Sequence, residues 1–320
     1  MTDSKRKNRV RPFAWLLIVA LLLSSFSLLV PTISAHAASK RDKAAKQAIV
    51  QGILQQKRSF TVPNSDTITS TLLRDVMEEH PKLNLYANPV FQNVKESPDG
   101  SKTVYPHYLP ELIQASQQFL RTAPWTGSDY QKELWVHDRL IQHITYTKGK
   151  KSIAEALLQG KCDCMGYSRT TAALLDALGV SCAVMDGDTT NKGNPAHEWN
   201  RVVIDGKPYL LDVTWDDMGD GKAPIHRYFN VSKDQMKEDH SPWAKFQKDW
   251  DTCCYTDQNY YQKNQLLCSS FWEARTKLQT HPEVQMNSKI TAELSYDALR
   301  ASLPGFTFYA NIGLGVIARR

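Results

Sequence analysis

The chain has 320 residues, of which 42% are hydrophobic, 22% charged and 10% aromatic. This composition excludes disordered, collagenous and multi-span membrane chains and allows one large or two modest hydrophobic cores. The formal net charge is +6, but the first eleven residues hold +4 of it, so the rest of the chain has a surplus of only two. Nucleic-acid binders cluster Lys and Arg on their folded part, and we therefore predict no nucleic-acid partner.

The amino-terminal residues have the order of a secretory signal. Basic residues precede an apolar run that extends from Phe13 to Leu23, resumes at residues 26–30 and is followed by Ala35-His36-Ala37. This order predicts a signal peptide over residues 1–37 and a secreted, extracytoplasmic protein. The alternative is an uncleaved anchor, because residues 12–33 are long enough to cross a bilayer of roughly 30 Å. Only in that case do we expect the protein to contact a membrane.

Residues 38–125 are predicted to form a small α+β accessory region. Its predicted elements, in chain order, are a helix or linker over Ser39–Lys57, a strand over Phe60–Val62, a helix over Ile68–Glu79, an extended segment over Leu83–Val94 that returns as a hairpin through Ser97–Gly100, and a helix over Leu109–Leu120. The segment Ala123–Gly127 breaks the pattern and marks a boundary.

A second region, 126–270, begins with a predicted helix over Tyr130–Ile144 and contains a cysteine at the start of the next clear helical pattern. Apolar residues recur at helical spacing from Met165 to Leu178, and Gly179 follows as a left-handed stop. Asp163 is a natural cap, which places Cys164 in the first helical turn. Unsatisfied N–H groups and the helix dipole favour a thiolate there, although a buried structural cysteine is the alternative interpretation.

A predicted hairpin brings a histidine and a carboxylate towards each other. The apolar strands that begin at His197 and at Lys207 are joined by Asp205-Gly206, a strong hairpin signal. With a two-residue turn, paired residue numbers sum to 411, and His197 and Asp212 become diagonal neighbours on one face. A three-residue loop would move Asp212 to the opposite face.

Cys164, His197 and Asp212 together supply a nucleophile, a base and an orienting carboxylate. Each residue taken singly has a structural interpretation: a buried thiol, a histidine at a strand end and a carboxylate that bonds a turn. The joint pattern favours nucleophilic catalysis by a Cys-His-Asp triad.

The remaining residues, 271–320, are predicted to form a small α+β extension. Helices are expected over Phe271–Leu278 and Tyr296–Leu303, and extended segments over Val284–Met286 and Phe306–Ile317. No motif in this extension indicates a function.

The motifs around the three catalytic candidates resemble the transglutaminase-like superfamily, particularly its secreted bacterial members. The matching segments are Cys164–Ser168 ahead of Leu174–Gly179, then His197–Asn200 with Val203–Gly206, then Tyr209–Asp217, and Tyr228–Ser232 as a closing strand. The resemblance spans roughly residues 130–270. It implies an α+β fold with a papain-like core, in which a helix that bears Cys164 packs on an antiparallel sheet that bears His197 and Asp212.

The resemblance implies thiol-dependent acyl transfer at amide bonds through a thioester on Cys164. Three functions follow: a cysteine peptidase or amidase that acts on proteins or peptides, including cell-wall peptides; a protein-crosslinking transglutaminase; and a binding module in which the triad is idle. We predict the first. No organic cofactor and no metal is expected, because Cys162, Cys164, Cys182 and His197 have poor spacing for zinc. The acidic run from Asp216 to Gly221 is interpreted as a solvated turn and not as a calcium loop.

The six cysteines are too few to define the fold as a disulfide scaffold. Cys162 is interpreted as a structural cysteine that pairs with Cys182, with a redox brake on Cys164 as the alternative. Cys253 or Cys254 could pair with Cys268 in an oxidising compartment.

Overall fold

The computed structural model describes residues 40–65, 67, 69–193, 195–219, 223–286, 301, 306–309 and 315–319. These residues belong to one unit, Ile33–Arg320. The predicted signal segment 1–37 lies outside the described residues, and so does the predicted helix Tyr296–Leu303 apart from Ala301. None of the described helices combines the length and the apolar composition that a bilayer-spanning helix needs.

The first part of the chain forms an antiparallel sheet that packs against two helices. The helices are Lys40–Leu54 and Thr69–Glu79, and the strands are β1 (Phe60–Val62), β2 (Ala87–Glu96) and β3 (Lys102–Tyr108), in the order β1-β3-β2. Ile49, Val76 and Val104 belong to one buried cluster that joins the helices to the sheet.

The prediction of an extended segment from Leu83 is wrong at its start. Pro81–Leu85 forms a 3-10 helix, and β2 begins only at Ala87. Pro81 occupies the first helical position, where its fixed φ angle suits a helix and its missing N–H is not needed.

The middle of the chain packs helices on a second antiparallel sheet. The helices are Pro110–Leu120, Asp129–His143, Ile153–Gln159 and Cys164–Ala177. The short strands β4 (Thr145–Tyr146) and β5 (Lys161–Cys162) run parallel, and the main sheet has the order β8-β7-β6-β9, with β6 (Ser181–Thr189), β7 (Ala196–Ile204), β8 (Lys207–Leu211) and β9 (His240–Pro242). Buried side chains such as Leu174, Val202 and Tyr209 join the Cys164 helix to this sheet. The predicted α+β class with a helix on an antiparallel sheet is confirmed.

The hairpin β7–β8 has the register that the sequence predicts. Asn200 pairs with Leu211 and Ile204 with Lys207, so paired numbers sum to 411. Asp205 and Gly206 have φ angles of 51° and 77°. Positive φ at both central residues is the geometry of a two-residue hairpin turn, which glycine adopts without strain and aspartate tolerates. Asp212 therefore stays on the face predicted for it.

The last part of the chain adds short helices and a third sheet. The helices are Val213–Asp216, Lys233–Met236, Gln247–Thr252, Tyr260–Lys263 and Phe271–Lys277, with a 3-10 turn at Ala244–Phe246. The strands β10 (Leu267–Cys268), β11 (Glu283–Met286), β12 (Phe306–Tyr309) and β13 (Val316–Arg319) have the order β10-β11-β13-β12. The closing strand predicted at Tyr228–Ser232 is reduced to one β-bridge between Val231 and Leu210, because the chain turns at Tyr228–Asn230, where Asn230 has a φ of 52°.

None of the candidate disulfides is formed. All six cysteines are free, and only Cys254 is exposed. Cys162 is packed under the start of the Cys164 helix, where burial raises the pKa of its thiol. Burial also raises the pKa of Cys182, which lies in β6. Cys162 is thus a structural residue without a sulfur partner.

Five buried or half-buried charged residues connect helix Asp129–His143 with β11. The rings of His137 and His226 both contact Asp138 Oδ1, at 2.8 Å each. Their other ring nitrogens contact Asp216 at 3.2 Å and Glu283, respectively. We call His137, Asp138, Asp216, His226 and Glu283 the charged joint. The interpretation of Asp216 as part of a solvated turn is wrong, because Asp216 is fully buried.

We expect His226→Gln to lower the free energy of unfolding most below pH 6.5. Burial acts against the charged ring, but Asp138 and Glu283 outweigh it and raise the pKa of His226 from 6.5 to about 10. Stabilisation from a raised pKa is complete below 6.5 and is lost as the pH rises through about 10. Urea unfolding of wild type and variant at several pH values measures this difference. The exposed His281 provides a control, His281→Gln, and a difference that does not shrink with rising pH would contradict the expectation.

Candidate active site

Cys164 is the first residue of the helix Cys164–Ala177, as predicted. Asp163 caps this helix: its Oδ1 accepts a hydrogen bond from the Met165 N–H at 3.1 Å. The other Asp163 oxygen accepts from the Gly149 N–H at 3.1 Å, which ties the loop after β4 to the helix start. The position gives the Cys164 thiol the positive end of the helix dipole. Cys164 is buried, with 9% of its surface exposed.

Gly166 allows Cys162 to pack directly beneath the first turn of this helix. A Cβ atom at Gly166 would lie 2.3 Å from the Cys162 Cβ and 2.8 Å from its Sγ. Real Cβ contacts are essentially never so short, so any side chain at position 166 would displace the first turn. The Cys162 side chain therefore packs directly beneath the helical turn that begins at Cys164.

His197 and Asp212 are hydrogen-bonded across the hairpin. His197 Nε2 lies 2.7 Å from Asp212 Oδ2, and both residues are buried. Asp212 also caps the short helix Val213–Asp216, because its Oδ1 accepts from the Thr214 and Trp215 N–H groups at 2.9 and 3.2 Å. Burial acts against its charged form, but His197 and His240 hold the pKa of Asp212 below its usual range. Asp212 therefore stays anionic.

The His197 ring interacts with the Cys164 thiol as well as with Asp212. Burial acts against the imidazolium, but Asp212 and a hydrogen-bonding contact with Cys164 raise the pKa of His197 to about 10. His197 is therefore protonated at neutral pH. A positively charged imidazole beside a cysteine favours the thiolate form of the sulfur. All three residues that the sequence singled out lie together, in the order sulfur, imidazole, carboxylate.

Glu198, next to His197, connects β7 to the Cys164 helix. Its carboxylate accepts hydrogen bonds from the Ser168 hydroxyl at 3.0 Å and from Arg169 Nη2 and Nε, at 2.9 and 3.3 Å. Asn200 donates a further bond from β7 to the Ser168 carbonyl at 2.9 Å. These contacts fix the distance between the element that bears the thiol and the element that bears the imidazole.

We expect Glu198→Ala to lower the free energy of unfolding by about 1 to 3 kcal/mol, because it removes the buried partner of Ser168. Solvent screens Arg169, which is 45% exposed, so its loss of a partner adds little. Alkylation of Cys164 by iodoacetamide at neutral pH should slow several-fold, because helix and strand can separate. Urea unfolding and alkylation rates measure both effects, with Glu78→Ala on an exposed helix position as the control. Wild-type values for both quantities would contradict the role of Glu198.

Aromatic rings surround the imidazole of His197. Trp199 stacks at a centroid distance of 6.1 Å, Trp215 lies at 5.7 Å and the His240 ring at 5.6 Å. Trp199 and Trp215 thus lie on two sides of the imidazole. Trp125 does not join them, since it is 41% exposed on the loop before helix Asp129–His143.

Sequence reasoning missed two residues near the triad. Tyr146 in β4 pairs with Cys162 in β5, and partial burial, Cys164 and Asp163 raise the pKa of its phenol. His240 begins β9, and its Nε2 lies 3.1 Å from Asp212 Oδ2. Neither has a motif or a fixed spacing that could have revealed it, because both reach the site through strand pairing.

Two groups of side chains in the described part of the chain offer metal-ligating atoms within 4.8 Å of one another. They are His137, Asp138 and His226, and His197, Asp212 and His240. In both groups the ring nitrogens that face a carboxylate do so at hydrogen-bond distances of 3.2 Å or less. Hydrogen bonds therefore account for both arrangements.

Residues 118–212 match the model of the transglutaminase-like superfamily. The matched span begins in helix Pro110–Leu120 and ends at Asp212, so it contains Cys164, His197 and Asp212. Residues 118–212 form a transglutaminase-like core. The expected resemblance is thus confirmed for this part of the chain, which bears all three predicted site residues.

Comparison of the chain with solved structures gives distant similarities. A "Putative Cysteine Protease" from Cytophaga hutchinsonii is 17% identical, with a TM-score of 0.28, and the match covers 33% of this chain and 37% of that one. A TGase is 15% identical, with a TM-score of 0.30, and the match covers 42% and 47%. The chain thus spans less than half the length of either structure, and nothing further is inferred from them. No curated protein matches the chain.

Proposed function

We propose that the protein is an extracytoplasmic cysteine peptidase or amidase that hydrolyses amide bonds of proteins or peptides. The observation that supports this proposal is that His197 is hydrogen-bonded to Asp212 and interacts with the Cys164 thiol. A helix-capped thiol, a protonated imidazole and an anionic carboxylate are the parts of an activated sulfur nucleophile. No cofactor is required for this chemistry.

The reaction starts from the pair of the Cys164 thiolate and the His197 imidazolium. The thiolate attacks the amide carbonyl carbon, and the C–N bond breaks as His197 gives its proton to the leaving amine. A thioester remains on Cys164. His197, now neutral, takes a proton from water, the hydroxide oxygen displaces the sulfur, and the carboxylic acid leaves.

The carbonyl oxygen becomes negative during both attacks and needs hydrogen-bond donors. The Cys164 backbone N–H, at the start of its helix, is the main-chain donor that we assign to this role, and the helix dipole adds to its effect. The exposed phenol of Tyr146 lies on the strand beside Cys162 and is the side-chain donor that we assign to this role.

Hydrolysis and crosslinking use the same triad and differ in the acceptor of the acyl group. The proposal is tested by incubating the purified protein with casein, with a glutamine-containing peptide and with an amine dye. We expect peptide cleavage or ammonia release that is absent in Cys164→Ala. Dye incorporation without cleavage would replace the hydrolase by a protein-crosslinking transglutaminase. Absence of both reactions, with an unreactive Cys164, would indicate a binding module.

The location outside the cytoplasm rests on residues 1–37. We propose that a signal peptidase removes them after Ala37. Mass spectrometry of the mature protein should find Ala38 as the first residue. A membrane-retained protein that begins at Met1 would contradict cleavage and support the anchor.

A further inference from the structure

A second histidine shares the carboxylate of the triad. Asp212 Oδ2 accepts from His197 Nε2 at 2.7 Å and from His240 Nε2 at 3.1 Å. His240 is only 2% exposed, and its other ring nitrogen, Nδ1, lies 2.6 Å from Asp239 Oδ1. An imidazole with a carboxylate oxygen at each nitrogen donates to both oxygens when both of its nitrogens carry a proton. The geometry points to this doubly protonated form of His240.

The row of charges continues beyond His240. The second oxygen of Asp239 accepts from the Tyr228 hydroxyl and from Arg227 Nη2, at 2.5 and 3.1 Å. Arg227 also lies over the Tyr228 ring, 4.6 Å from its centroid. Positive and negative groups thus alternate from His197 through Asp212, His240 and Asp239 to Arg227. Each carboxylate is shared by two cations, so neither acts on one neighbour alone.

We propose that His240 is a positioning residue for the reaction, which acts through Asp212. His240 donates a hydrogen bond to Asp212 Oδ2 and so keeps that oxygen within hydrogen-bonding distance of His197. The positive charge of His240 also weakens the attraction between Asp212 and the proton on His197. This inference rests on the proposed function, because it assigns His240 to the same triad. Because the His240 ring centroid lies 5.6 Å from that of His197, its charge makes it easier for His197 to give its proton to the leaving amine.

The groups that face this pair of imidazoles come from several elements. The Cys164 helix contributes the thiol, the hairpin end contributes Asp212, and the segment before β9 contributes Arg227, Tyr228 and Asp239. Asp186 of the neighbouring strand β6 is paired with Lys245 at 2.8 Å. Among these groups, the charge of His240 is the one that opposes a proton on His197 through the shared carboxylate.

The test measures alkylation of Cys164 by iodoacetamide as a function of pH. In the wild type the rate should form a plateau, which ends near pH 10 where His197 loses its proton. His240→Gln removes the cation but retains an N–H donor, and Asp239→Asn removes the carboxylate that holds the second proton of His240. We expect both variants to move the upper end of the plateau upward by about one pH unit. Peptide mass spectrometry follows Cys164 separately, because iodoacetamide also reacts with the exposed Cys254.

The outcomes are distinct. A shift in both variants, with none in the exposed-position control His107→Gln, supports the role of His240. The proposed role of His240 is overturned if His240→Gln has a wild-type melting curve and an unchanged plateau. If His240→Gln does not fold, an unchanged plateau in Asp239→Asn overturns the role instead. If the wild-type Cys164 has no plateau and His197→Ala leaves its rate unchanged, the proposed function fails and the role of His240 fails with it.

Discussion

Asp212→Asn is expected to lower kcat/KM for an amide substrate by about three to four orders of magnitude, the scale of the same change in a Ser-His-Asp triad. Asp212 accepts four N–H donors: two backbone groups at Oδ1 and two imidazoles at Oδ2. An asparagine amide has one oxygen and one NH2 group. In either orientation the NH2 group faces two N–H donors, so one pair of hydrogen bonds is lost.

The same variant should lose about 1 to 3 kcal/mol of unfolding free energy, because buried donors are left without an acceptor. Initial rates and urea unfolding measure the two effects. Asp234→Asn is the matched control, since Asp234 is exposed and pairs only with Lys237. An Asp212→Asn enzyme that keeps more than about a tenth of wild-type activity would show that the carboxylate is not the orienting group.

Cys164→Ser is expected to reduce activity by about 10³-fold or more. A serine hydroxyl stays protonated at neutral pH, and His197 is in no position to accept its proton, because Asp212 already holds the ring in its charged form. Sulfur differs here because it ionises readily beside an imidazolium. Rate measurements at enzyme concentrations high enough to detect slow turnover check this expectation.

The Cys164→Ser protein should remain folded, with an unfolding free energy within about 1 kcal/mol of wild type. Cys254→Ser is the control for loss of an exposed thiol and should keep full activity. Comparable losses in both variants would show that the effect is not specific to Cys164. Wild-type activity in Cys164→Ser would overturn the assignment of the nucleophile.

The arrangement of the triad could be predicted because each part rests on a local rule. The Asp205-Gly206 turn fixes the hairpin register, and that register decides on which face Asp212 lies. The cap at Asp163 and the stop at Gly179, which has a φ of 81°, bound the helix that begins at Cys164. The contact between this helix and the hairpin could not be derived from such rules, and it was the family resemblance that supplied it.

The residues that sequence reasoning missed depend on contacts between distant segments. His240 reaches Asp212 because β9 pairs with β6, and no property of residues 239–242 predicts that pairing. The burial of Asp216 could not be predicted for the same reason. An acidic run is normally solvated, and the buried partner of Asp216 is His137, 79 residues earlier in the chain. Cys162 and Cys182 belong to the same buried cluster but form no disulfide, because shared burial does not by itself bring two sulfur atoms within bonding distance.

The charged joint determines how the protein can be shortened for expression. A chain that stops at residue 270 would keep His226 but lose Glu283, so an imidazole nitrogen in the interior would have no acceptor. The loss would be transmitted to helix Asp129–His143, which packs against the Cys164 helix. Recombinant versions designed to isolate residues 126–270 should therefore retain β11 and its partner β13. Without these strands, His226 in the retained part loses its buried acceptor.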